Sequence, residues 1–104
     1  MDTTQLKEEW NKLRPQLEAA KSAVRDKMQQ QEYLLNALRA VDVSIELLKK
    51  SNCNIDLMEQ QKVQVVEYLH TANNDLKKAT CDLNEMKMEV QSLTNDMTNH
   101  LKMI

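Results

Sequence analysis

The chain has 104 residues, with no Gly, no Phe, a single Pro and 3% aromatics, which leaves room for one domain at most. A chain without Gly has little means of making tight positive-φ turns, so hairpin-rich sheets, phosphate-cradling loops and nucleophile elbows are nearly excluded. Fourteen basic and sixteen acidic residues leave a net charge of −2; with 41% hydrophobic residues the chain is no disordered tail, and it contains no apolar run of membrane-spanning length.

The first predicted element is a long helix over about residues 3–50. Alternating steps of four and three from Leu6 meet Trp10, Leu13, Leu17, Ala20, Val24, Lys27, Gln31, Leu34, Leu38, Val41, Ile45 and Leu48. Eleven of these thirteen positions are apolar. A helix buries one stripe at this spacing of 3.5, whereas a strand needs a spacing of two. The pattern persists for about six heptads, beyond the three or four that argue for a coiled coil. Lys27 and Gln31 are the polar interruptions, read as a register-setting layer, because polar seam groups fix alignment and partner choice. Pro15 falls on the outward face. Its ring removes a backbone hydrogen bond and costs roughly 3 kcal/mol in a regular helix interior. Two readings stay open: a hinge that separates residues 3–14, or a main helix that begins near Pro15.

A turn is predicted at Ser51-Asn52-Cys53-Asn54. Lys49 and Lys50 precede it, where cations suit the negative end of the helix dipole. Asn is the best substitute for Gly where a left-handed residue ends a helix. Asn54 or Asp56 is placed to cap the next helix, and Asp56 with Glu59 has capping-box spacing. The heptad phase also slips here, which a continuous helix would have to absorb as a stammer.

The second predicted helix covers about residues 55–104. Its stripe reads Ile55, Met58, Lys62, Val65, Leu69, Ala72, Leu76, Ala79, Leu83, Met86, Val90, Leu93, Met97, His100 and Ile104, thirteen of fifteen positions being apolar. The fold class is therefore all-α: a long antiparallel two-helix coiled-coil hairpin, expected to be completed to a larger helical bundle by self-association or a partner. A turn near residue 52 pairs positions whose numbers sum to about 105. Ala20 then faces the neighbourhood of Met86, and Lys27 and Gln31 fall opposite Ala79, Leu76 and Ala72. Asp75 and Asp82 flank that layer, within reach of the Lys27 ammonium.

A two-helix layer buries one stripe per helix, and the apolar residues left over collect in two places. Leu35, Val43, Leu47, Leu57, Val63 and Val66 gather near the turn, while Trp10, Met88, Leu101 and Met103 gather near the other end. Contiguous apolar patches mark interfaces, so these ten are the partner-binding candidates; Trp10, in a first heptad more often core than contact, is still the preferred single contact because it precedes Pro15.

No catalytic constellation is legible. The glutamates are spaced as solvated helix charges, and no serine has a partner histidine in a recognisable arrangement. Cys53, Cys81, His70 and His100 lack metal-ligand spacing. The basic pairs Lys49-Lys50 and Lys77-Lys78 splay about 100° apart on a helix, as on a solvated face. The expectation is thus no enzyme, no cofactor, no metal, no nucleic acid, no membrane and no small-molecule substrate. Reduced thiols, with no leader readable in Met1-Asp2-Thr3-Thr4-Gln5, suggest an intracellular chain, cytoplasmic or nuclear.

The expected partners are other helical proteins or a second copy, and the expected role is a scaffold or assembly subunit of a multiprotein complex. The alternative is a small helical chaperone whose Met-rich second helix holds a client transiently. The turn lacks the Trp-x-Gly of secreted bacterial WxG hairpins, and the seam runs unbroken through Met28-Gln29-Gln30-Gln31, where a spectrin-like repeat would need a third helix. In style the chain resembles small coiled-coil subunits of eukaryotic assemblies, without a specific motif.

Overall fold

The computed structural model describes residues 3–103, which form two long helices, α1 (Thr3–Lys50) and α2 (Asp56–Lys102), packed against each other as an all-α helical hairpin. Ile104, the last seam position of the sequence reading, lies outside the described residues. Helix α1 is continuous through Pro15, which sits on the exposed face. There its ring meets solvent rather than the facing helix, while Leu13 and Leu17 on either side of it are half-buried in the seam. Seam packing of an amphipathic face supplies most of a helix's stability in a protein, and it holds the backbone helical across the missing donor.

The contacts fall into two compact units. One comprises Met1–Arg25 with Lys78–Ile104, and the other comprises Asp26–Lys77. In both, burial follows the heptad stripe. All thirteen stripe positions of α1 are buried or half-buried. The described positions of α2 behave likewise except Met97, which is 36% exposed. The buried core is small: Leu6, Leu83 and Leu93 in the first unit, Leu34, Ile45 and Ala72 in the second. Ala72, at 2%, is the most enclosed, and no polar or charged described residue is fully buried.

The second unit carries the turn, and the backbone there explains why α1 stops. Asn52 has φ of 56°, the left-handed region that most residues avoid at a cost of roughly 1–2 kcal/mol and that Asn tolerates. The Cys53 amide donates to the Leu48 carbonyl at 2.9 Å and the Asn52 amide to the Lys49 carbonyl at 3.1 Å. These are the two bonds of a Schellman cap, built with Asn where Gly is usual. Helix α2 is capped by Asn54, whose Oδ1 accepts from the Asp56 amide at 2.9 Å. Capping thus falls to Asn54, while Asp56 and Glu59 place negative charge in the first turn, at the positive end of the dipole.

Candidate functional site

Four polar side chains interrupt the heptad stripes, and each is met by a polar residue from the facing helix. In the second unit, Lys27 Nζ lies 3.7 Å from an Asp75 carboxylate oxygen, and Lys62 Nζ lies 2.7 Å from one of Asp42. Gln31 Nε2 donates to Asn73 Oδ1 at 2.6 Å. In the first unit, Thr3 Oγ1 and His100 Nε2 share a hydrogen bond of 3.0 Å. The paired residue numbers sum to 102, 103 or 104, close to the 105 expected of a turn near residue 52.

All four of these pairs remain reachable by water. The two ion pairs are roughly half-exposed, which limits each to about 0–1 kcal/mol. Their chief effect is alignment, since any slide of one helix past the other separates them together. The sequence reading anticipated Lys27 with Asp75. It placed Gln31 among alanines and did not foresee Asn73, Asp42 or Thr3. Asp42, Asn73 and Asp75 stand beside the stripe rather than on it, so a search confined to stripe positions passes them over. Asp82 is exposed.

Because the polar interruptions are satisfied within the hairpin, the unpartnered feature is apolar. Leu35, Val43, Leu47, Leu57, Val63 and Val66 of the second unit are all exposed, Leu57 at 68%. Leu35 and Val66 border the seam, whereas Val43, Leu47, Leu57 and Val63 are more than half exposed. Val43 and Leu47, with Asp42, Glu46 and Lys50, line a shallow outer hollow of about 260 Å³. Met28, Tyr33 and Tyr68 of the same unit are also exposed, although they were not singled out in the sequence. The Tyr68 hydroxyl accepts from Gln64 Nε2 at 3.0 Å, one turn earlier.

In the first unit, Met88, Leu101 and Met103 are exposed, Leu101 at 70%. Trp10, both a stripe position and the preferred contact residue of the sequence reading, is only partly presented. It is half-buried, because it is itself a stripe position. With Thr3, Leu6, Lys7, Met97, His100 and Leu101 it lines an apolar groove of about 220 Å³, smaller than the roughly 300–1,000 Å³ typical of ligand clefts.

Cys53 and Cys81 are exposed free thiols. Among the described residues no helix is long and apolar enough to cross a membrane. In comparisons with known proteins, no family model, no curated protein and no solved structure matches this chain.

Proposed function

We propose that the chain is a non-enzymatic helical scaffold or assembly subunit of a multiprotein complex, binding its partners through helix-helix packing. One observation carries this reading. The polar interruptions of the seam are satisfied across the hairpin, while apolar side chains lie exposed on helical faces of both units. Exposed apolar side chains on helical faces are what packing against a further helix would cover.

An intracellular setting, cytoplasmic or nuclear, belongs to the same proposal, since two exposed thiols remain unpaired most readily in a reducing compartment.

Affinity capture with cross-linking and mass spectrometry tests this reading. The expected result is a stoichiometric, salt-resistant helical partner or second copy, cross-linked through lysines next to the exposed faces. A folded, strictly monomeric hairpin with no stoichiometric partner overturns it. Salt-labile, substoichiometric capture of many chains instead supports the chaperone reading, for which the exposed Met28, Met88 and Met103 provide an adaptable surface.

A further inference from the structure

Helix α2 carries a second stripe at the same alternating spacing, shifted one residue from the seam. Through the second unit it reads Asp56, Glu59, Val63, Val66, His70, Asn73 and Lys77. Asn73 is half-buried and engaged by Gln31, and the other six are exposed, Val63 at 59% and Val66 at 45%. Asp56, Glu59 and Lys77 take part in none of the ion pairs among the described residues. The stripe is ordered by chemistry: two carboxylates, two valines, then an imidazole, an amide and an ammonium.

From Asp56 to Asn73 that order is complementary to its own reverse. We infer that this face of α2 binds the same face of a second copy, antiparallel, about a two-fold axis between Val63 and Val66. This rests on the helix-packing reading above and names its partner. Under that axis Val63 of one protomer packs on Val66 of the other. Glu59 then faces the imidazole of the other copy's His70, which donates to the carboxylate. Asp56 faces the other copy's Asn73, and its Lys77 lies one turn further on. A two-fold interface must be self-complementary in this way.

A parallel arrangement would stack carboxylate on carboxylate and ammonium on ammonium, a like-charge repulsion that the antiparallel order avoids. Leu35 of α1 flanks the seam on the same side as Val66 by register, and it adds apolar area beside the central valines.

Light scattering and sedimentation equilibrium of the full chain, from about 1 to about 100 µM, read the outcome directly. The mass is expected to rise from 12.1 kDa toward twice that value. Val63→Glu with Val66→Glu is expected to weaken association about 100-fold by placing four carboxylates at the axis. Both positions are exposed, so circular dichroism should show unchanged helicity. Glu59→Lys alone, or His70→Glu alone, should weaken association about tenfold, and the two together should restore it by swapping the pair.

A monomer at every concentration overturns the inference. So does a dimer that ignores the valine substitutions, or one that the charge swap fails to restore. A monomer that nevertheless holds a stoichiometric different partner removes the second copy and leaves the scaffold proposal standing. A monomer with no partner removes both.

Discussion

The hydrogen bond between Gln31 and Asn73 offers the sharpest test of the seam, because two opposing effects nearly cancel in the obvious variant. Gln31→Leu loses a bond of 2.6 Å, worth a net 0.5–1.5 kcal/mol or about 1. The leucine is half-buried there, and about half of the 1.5–3 kcal/mol of full burial returns roughly 1 kcal/mol. The single variant is therefore expected within about 0.5 kcal/mol of the parent. The informative quantity is the coupling. With Asn73→Ala already in place there is no partner left to lose, so Gln31→Leu becomes stabilising by roughly 1 kcal/mol. A double-mutant cycle should return a coupling of about 0.5–1.5 kcal/mol. Urea unfolding followed by far-ultraviolet circular dichroism measures it, at one fixed concentration, because association adds to apparent stability. Additivity within about 0.3 kcal/mol would mean that both amides face water, and the register would be wrong.

Pro15→Ala should stabilise the chain by about 1–3 kcal/mol, since α1 is unbroken at an exposed proline. A thermal melt showing no gain would refute a continuous helix there. Asn52→Ala should cost about 1 kcal/mol and Asn52→Gly should be neutral or better, because φ is 56°; equal melting temperatures for the two would contradict the left-handed cap. Ala72→Leu should destabilise by about 1–3 kcal/mol in urea titrations, since the most enclosed side chain has no room to grow. An unchanged midpoint would show that the helices separate freely at that layer.

The seam was legible because a 3.5-residue repeat has one physical explanation, and burial follows it position by position through α1. The turn was legible for a similar reason, since a Gly-free chain has few residues other than Asn able to take the left-handed conformation at 52. The partners of the polar interruptions were less so. Lys27 with Asp75 came from simple register arithmetic, but Asn73 and Asp42 flank the stripe, where the repeat gives no reason to single out one polar residue from its neighbours. Trp10 is half-buried, as its place on the stripe implies. The exposed Tyr33 and Tyr68 lie off the stripe and off the turn, and no periodicity marks them.

The order in which such a hairpin closes follows from where its pairs lie along the chain. Asp42 and Lys62 are 20 residues apart, whereas Thr3 and His100 are separated by 97. Closing the longer span directly from the unfolded chain costs about 1.4 kcal/mol more in chain entropy. Assembly is therefore expected to start at the Asn52 cap and run outward as a zipper, each layer shortening the span left for the next. Run backwards, the same sequence makes residues 3–25 and 78–102 the first to open. Their amides should exchange with solvent while those between 26 and 77 are still protected. Trp10, alone in the unit that closes last, is a natural fluorescent reporter of that final step.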